Sequence, residues 1–372
     1  MKKVLFIATI SSFINAFLVN NIKILHELGY EVHIAVGKDG DITTNIPSYA
    51  TIHYLSIERN PLKLKSNYKA YKEILQLIKD VKINFIDCHT PVGGVLGRLT
   101  AKKLKIKCIY TAHGFHFYKG APLFNWLVYY PIEKYFSKFT DVLITINTED
   151  YNRAKNKFKM KRLEYIPGVG VDIKKYQLRD FDRNRYRKKL GYSDDDFVIL
   201  SIGELNKNKN HEVVLKVISK LNNPNIKYMI AGQGELKDYL LRLSKKLNIS
   251  NQLQLLGFRS DIAELNNSAD LFIFPSKREG LGLAAIEAMA AGLPIITADV
   301  HGMRDYSEDG ITGYKCRYDD VASFAKNIEI LLENEDIRLK MGKCNKKKCK
   351  KYDIGNVSAI MKKIYKKYEI SM

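Results

Sequence analysis

Short apolar runs alternate with longer stretches of helical spacing along the first half of the chain. Val4–Ile10 is continuous enough to read as a buried strand, and Phe13–Leu28 carries apolar residues at helical spacing before stopping at Gly29. Val32–Val36, Phe85–Cys88, Cys108–Thr111 and Val142–Ile146 read as further strands, and Asn67–Lys79, Val92–Lys103 and Leu123–Phe139 as helices. After Ile166-Pro-Gly-Val-Gly-Val-Asp172 the pattern lapses, and residues 173–195 are charged and carry no strand. It then restarts, with strands at Phe197–Ile202, Lys227–Ala231, Leu253–Leu256, Leu271–Phe274, Ile295–Thr297 and Tyr314–Cys316, and helices at His211–Leu221, Leu236–Leu247 and Leu283–Ala291. Repeated strand–helix units predict parallel sheets covered on both faces. The expected class is α/β, with two doubly wound Rossmann-like domains facing across a cleft and a ligand at the carboxyl ends of the strands. The first domain is expected over residues 1–172, a linker over 173–195 and the second domain over 196–352. A C-terminal helix over 353–372, apolar at Ile354, Val357, Ile360, Met361, Ile364 and Tyr365, is expected to pack back on the N-terminal domain.

The most informative segment runs from Phe274 to Pro294. A buried strand ends there, a loop with Gly280 and Gly282 follows, and a helix begins at Leu283 and ends at Gly292. Glycines between a strand and a helix let backbone amides approach a ligand, and the new helix turns its positive end toward it, which suits a diphosphate. Glu279 before that helix and Glu287 within it would repel a bare phosphate. Sugar and ribose hydroxyls, which donate hydrogen bonds to carboxylates, suit them better.

Composition narrows the partners. At 372 residues the chain suits two domains rather than one. A formal charge of +21 implies an anionic partner, although Ile, Asn, Lys and Tyr are all abundant, a bias that raises lysine content with no partner at all. Charge alone also allows a nucleic-acid-binding protein, but no recognised motif accompanies it and the basic residues are dispersed. Five cysteines without a CxxC pair read as a reduced, cytosolic protein. Lys2-Lys3 and the apolar run after them imitate a signal peptide, yet Ser11, Ser12, Asn15, Asn20 and Asn21 break the stretch up. No run reaches the roughly 18–20 apolar residues of a membrane span.

With these residues in place the chain resembles the family 4 glycosyltransferases of GT-B fold, and among them the bacterial enzymes of capsule and exopolysaccharide synthesis. The motifs carrying the resemblance are Glu279-Gly-Leu-Gly with Glu287, Gly257-Phe258-Arg259, Cys88-His-Thr-Pro-Val-Gly-Gly and Tyr110-Thr-Ala-His-Gly-Phe-His-Phe117. The resemblance implies transfer of a hexose or N-acetylhexosamine from a UDP-sugar to a polyprenyl-diphosphate-linked or glycan acceptor, with retention, no metal and no cofactor beyond the donor itself. It implies that Glu287 holds ribose hydroxyls and that Glu279 meets the donor sugar. The amides of Gly280, Leu281, Gly282 and Leu283 would serve sugar and diphosphate, and Phe258 and Arg259 would lie beside the base. His113 would stand near the transferred sugar in a catalytic role. The second domain of such enzymes opens with an Arg and, five residues on, a Lys, both on the diphosphate. Here Gly203 is followed by Glu204 in the first position and Lys209 in the second, so one expected cation is missing and Lys207, Asn206, Asn208 or another basic residue must replace it. The Gly-Gly pair common in the first strand-to-helix loop is also absent: Thr9-Ile-Ser-Ser-Phe-Ile14 stands there, and Gly93-Gly94 offers related service.

Other chemistry is weaker. Asp39-Gly-Asp41, Asp180-Phe-Asp182 and Asp194-Asp-Asp196 match a metal-binding DxD pattern but read as solvated acids, so the cations must come from Lys209 and helix amides. His89 and His116 fall at strand ends and divide evenly between loop hydrogen bonding and function. Arg98 and Arg59 read as surface residues or as contacts for a lipid diphosphate. The aromatic stretch Phe115–Pro131, with Lys134 and Lys138, reads as an interfacial helix on an anionic membrane surface, placing the protein peripherally on the cytoplasmic side, or as a core-packed helix. A UDP-sugar epimerase of the same fold is the rival enzyme, and would need carboxylates for proton abstraction.

Overall fold

The computed structural model describes residues 1–37 and 45–369, so Asp39-Gly-Asp41 lies outside the described residues. The chain divides into two compact units, Met1–Gly170 with Gly355–Met372, and Val171–Ile354.

In the first unit, the described residues form a seven-stranded sheet: β1 (Lys2–Ile10), β2 (Tyr30–Gly37), β3 (Thr51–Leu55), β4 (Phe85–His89), β5 (Lys107–Ala112), β6 (Val142–Thr145) and β7 (Arg162–Tyr165). The order is β3-β2-β1-β4-β5-β6-β7 and every pairing is parallel. Central strands are buried on both faces, which is why β1 reads as an apolar run from Val4 on, while β4 buries Asp87 and His89 among its apolar residues. The order reverses between β1 and β4, so their carboxyl ends, at Thr9 and His89, flank a switch point of the kind where ligands bind in such sheets. The Pro91–Leu104 helix packs on the sheet through its glycines. A Cβ on Gly94 would come within 2.4 Å of the Tyr110 ring, and one on Gly93 within 3.2 Å of the Ala8 backbone. These buried glycines let the helix lie close on the sheet. The predicted helix Phe13–Leu28 is two, Ser11–Phe17 and Val19–Glu27, broken at Leu18. The Ile354–Glu369 helix closes the unit: Val357, Met361, Ile364, Tyr365 and Tyr368 are buried, Tyr365 donates to Asp87 at 2.6 Å, and Lys367 and Tyr368 reach Glu164.

In the second unit, the described residues form a six-stranded parallel sheet: β8 (Phe197–Ile202), β9 (Ile226–Ala231), β10 (Leu253–Gly257), β11 (Leu271–Phe274), β12 (Ile295–Ala298) and β13 (Gly313–Cys316), in the order β10-β9-β8-β11-β12-β13. Again the order reverses between two central strands, β8 and β11. The stretch 173–195, expected as a linker, instead carries the helices Ile173–Tyr176 and Arg183–Leu190 within this unit. Buried Arg187 holds the second helix down through Asp270 and the Ser268 carbonyl. The two ends of the unit are clasped, with Val171 N donating to Tyr352 O and Ile354 N to Val171 O, each at 2.9 Å.

Among the described residues no helix is long and apolar enough to cross a membrane.

Candidate active site

The glycine loop and the helix after β11 carry most of the second unit's candidate chemistry. Gly282 begins the Leu283–Ala291 helix with φ of +85°, and a Cβ there would lie 2.6 Å from the Phe274 ring, so only glycine fits. No side chain caps this helix. Its N-terminus thus presents partial positive charge beside Gly280, Leu281 and Gly282, the arrangement that attracts anions. The segment at Gly302 braces the loop from behind: Gly302 N donates to Glu279 O at 3.3 Å.

Glu279 and Lys209, expected to meet different parts of a ligand, meet each other. Lys209 Nζ lies 2.8 Å from Glu279 Oε1 and 4.6 Å from the centre of the Phe274 ring. Both side chains are mostly buried. Lys209 crosses Gly203, where a Cβ would lie 2.9 Å from its Cε. The loop before Lys209 is held by its own asparagines. Asn206 accepts from Lys209 N at 3.0 Å and donates to Glu204 at 2.8 Å, while Asn208 donates to Arg278 O at 3.0 Å. Asn206 and Asn208 are thereby committed to loop structure, and neither supplies the charge that Glu204 fails to provide. Arg278, next to Glu279, is partly buried and has no carboxylate partner among the described residues.

Glu287 lies one turn into the helix, largely buried, hydrogen-bonded to Tyr176 with Lys175 nearby. Burial raises its carboxyl above the ordinary range, and the Tyr176 hydrogen bond and the Lys175 charge pull the other way. Tyr176 comes from the stretch expected as linker, so sequence reasoning missed it; the helical run it ends gave no local sign of a distant carboxylate.

Phe258 and Arg259 line a second feature, an open depression of about 890 Å³ at the carboxyl ends of β8, β9 and β10 that also takes in Gly203 and the loop 232–235. Phe258 is 79% exposed. Arg259 is held by Asp261, with Nε at 2.8 Å from Oδ1, and Asp261 also accepts from Tyr186 at 2.5 Å. The loop Gly232-Gln-Gly234 was not singled out from sequence, though a Gly-x-Gly directly after a strand was the available signal. A Cβ at Gly232 would fall 1.9 Å from the Gly203 carbonyl, so the two loops touch through bare backbone. Below them, His211 bonds Tyr228 at 3.0 Å and the Glu204 carbonyl at 3.3 Å, and burial drives its pKa down to about 4.

Of the acidic pairs, Asp182 caps the Arg183–Leu190 helix and Asp196 accepts from Ser193 N at 2.7 Å.

His113 stands in the first unit, after β5. Its Nε2 is 3.1 Å from His89 Nδ1, and Phe13 packs edge-on at 4.8 Å between ring centres. Burial, reinforced by His89, pushes the His113 imidazole well below the ordinary histidine range, so it is neutral near pH 7. His116 stacks on Tyr129. Arg98, read as a surface group or a lipid-phosphate contact, is neither. It is buried, donates to Glu133 at 2.8 Å and to Gly94 O at 2.8 Å, and lies over Tyr110. A guanidinium so deep persists because a carboxylate and a carbonyl satisfy it. Glu133 belongs to the Leu123–Phe136 helix, so this pair pins the aromatic helix down on one face. On another, Leu123, Phe124 and Leu127 are exposed.

Comparison with known proteins gives two family matches: "Glycosyl transferases group 1" over residues 182–348 and "Glycosyl transferase 4-like" over residues 3–147. The chain is 37% identical over 374 residues to the putative glycosyltransferase EpsD of Bacillus subtilis, covering 99% of this chain and 97% of that one. It is 25% identical over 326 residues to the Escherichia coli UDP-Gal:alpha-D-GlcNAc-diphosphoundecaprenol alpha-1,3-galactosyltransferase, covering 86% and 84%. The crystal structure of Anabaena HepE in complex with UDP-glucose superposes with a TM-score of 0.83 at 17% identity, over 99% of this chain and 100% of that chain.

Proposed function

Since this chain belongs to the glycosyltransferases of GT-B fold, with a 4-like first domain and a group 1 second domain, we propose that it moves a hexose or N-acetylhexosamine from a UDP-sugar to a polyprenyl-diphosphate-linked acceptor. Transfer would proceed with retention and without a metal, on the cytoplasmic face of the membrane, in the assembly of a cell-surface polysaccharide. The Escherichia coli relative, named for a UDP-galactose donor and a diphosphoundecaprenol acceptor, supports both substrate classes.

The observation that carries the reading is the Lys209–Glu279 pair at the uncapped start of the Leu283–Ala291 helix. A cation, a hydroxyl-reading carboxylate and backbone amides at a helix start are what a diphosphate-linked sugar needs at one place. On donor binding Lys209 exchanges Glu279 for the diphosphate, and Glu279 is released to accept from sugar hydroxyls. Glu287 takes the ribose hydroxyls, and Phe258 and Arg259 flank the base. Arg278 supplies the second cation that Glu204 does not. Glu279 reads hydroxyls and is not the nucleophile, so retention would come from attack on the face the leaving group vacates. His113 meets the transferred sugar.

Membrane contact rests on the aromatic helix. Leu123, Phe124 and Leu127 share one face at helical spacing and are 72%, 66% and 68% exposed, with Lys119, Lys134 and Lys138 exposed nearby. Apolar side chains beside lysines suit an anionic lipid surface.

The test is a panel of UDP-sugars incubated with and without a polyprenyl-diphosphate-sugar acceptor. Acceptor-dependent release of UDP and a lengthened lipid-linked product are expected. Epimerisation of the UDP-sugar with no acceptor present would reject transfer in favour of the rival enzyme.

A further inference from the structure

A file of buried polar side chains leads from the C-terminal helix to His113, wholly within the first unit. Tyr365 donates to Asp87 Oδ2 at 2.6 Å. Asp87 Oδ1 lies 3.2 Å from His89 Nε2, and His89 Nδ1 lies 3.1 Å from His113 Nε2. Asp87 and His89 are fully buried and Tyr365 is nearly so. Phe6 stacks flat on His89 at 5.9 Å. The 3.2 Å Asp87–His89 approach is too bent to be a hydrogen bond, and both atoms are buried with no hydrogen-bond partner among the described residues, so each faces only the other. Each therefore depends on the other, since a buried carboxylate oxygen without a facing proton is costly.

We propose that Asp87 and His89 are positioning residues that hold His113 in a single tautomer, and that Tyr365 holds Asp87. The carboxylate requires a proton on His89 Nε2. With that proton in place His89 Nδ1 is a lone pair, so His113 must donate to it from Nε2. His113 Nδ1 is then bare, and is the one ring nitrogen left to a ligand. It accepts a hydrogen bond from a sugar hydroxyl and does not polarise one by donation. The role in transfer rests on the reading that His113 meets the sugar; the tautomer does not. A carboxylate fixing an imidazole that serves another group is the logic of a triad, here with a second imidazole as the group served.

The experiment is NMR of the full chain with isotopically labelled histidine, read with steady-state kinetics. Protons on Nε2 of both His89 and His113, with coupling across the His113–His89 hydrogen bond, are expected. A proton on Nδ1 of either ring overturns the proposal. Asp87→Asn should let the His113 tautomer redistribute and lower kcat at least about tenfold while donor KM stays near wild type. Tyr365→Phe, which leaves the carboxylate in place and is the safer variant for folding, should shift both readouts in the same direction by less. An unchanged His113 spectrum in both folded variants also overturns it. His113→Ala separates the two ideas: wild-type turnover there would end the assignment of His113 to the sugar, while the relay is judged on the spectra of the wild-type chain.

Discussion

Replacing Leu123, Phe124 and Leu127 together by alanine should release the protein from anionic membranes without unfolding it. Each side chain is about two-thirds exposed, so about one-third of its surface is already withdrawn from water by the fold. A leucine-to-alanine change removes three carbons, and the larger phenylalanine loses more. At about 0.8 kcal/mol per buried carbon, full transfer of the exposed fraction would contribute roughly 1.6 kcal/mol for each leucine and about 3 for the phenylalanine ring, or about 6 in all. A helix lying in the interface immerses about half of that surface, leaving roughly 3 kcal/mol, which is a partition weaker by about 100- to 200-fold at about 1.4 kcal/mol per decade. The assay is co-sedimentation with vesicles of zwitterionic lipid containing an anionic fraction, at low and moderate salt. Because Glu133 and Arg98 pin the opposite side of the helix, the variant should keep its thermal midpoint. Wild-type vesicle binding by the triple variant would refute the reasoning, as would equal binding to vesicles with and without anionic lipid.

Three further outcomes follow from the second unit. Burial raises the Glu287 carboxyl, so on the proposed ribose role, which needs it ionised, donor KM should climb as pH falls through a value above the ordinary 4.5; Glu287→Gln should raise KM and flatten that profile. Lys209→Ala should lower kcat on the order of a hundredfold by UDP release, and combining it with Glu279→Gln should cost less than the sum, because the two side chains are paired; strict additivity would argue against the shared role. His211 is neutral in the fold down to about pH 4, against an ordinary value of 6.5, so the unfolded chain binds the extra proton between those limits. Stability is therefore lost as pH falls from 6.5 toward 4, by up to about 3 kcal/mol, and urea midpoints at both ends of that range should show the loss in wild type and a smaller one in His211→Gln.

The central strands were legible because burial on both faces favours apolar residues at nearly every position, as in Leu271–Phe274. The two edge strands of the first sheet were not: Thr51–Leu55 and Arg162–Tyr165 are half exposed, mixed in character, and join the sheet through backbone hydrogen bonds to a neighbour. The charged stretch 173–195 hid two helices because what holds them is distant; Arg187 finds Asp270, and Tyr176 finds Glu287. The glycine loop and its two glutamates were readable since strand, loop and helix are contiguous. That Lys209 would pair with Glu279 was not, because the pair spans two strands of the sheet. Arg98 misled for a related reason, since its partner Glu133 sits in an aromatic helix that gives no local sign of a buried cation. His89 was noticed only as a strand-end residue. The informative neighbour was Asp87, an acid two positions earlier on the same face of an otherwise apolar strand.

The clasp between Val171 and the Tyr352–Ile354 segment makes the second unit one uninterrupted length of chain whose two ends meet, whereas the first unit is written in two pieces with that length between them. A ribosome therefore finishes the later-encoded half first. The earlier half waits with Asp87 unsatisfied until Tyr365, 278 residues downstream, leaves the exit tunnel. A stop codon at residue 361 would spare the glycine loop and its helix, yet remove Met361, Ile364, Tyr365 and Tyr368 from the face they cover on the opening sheet.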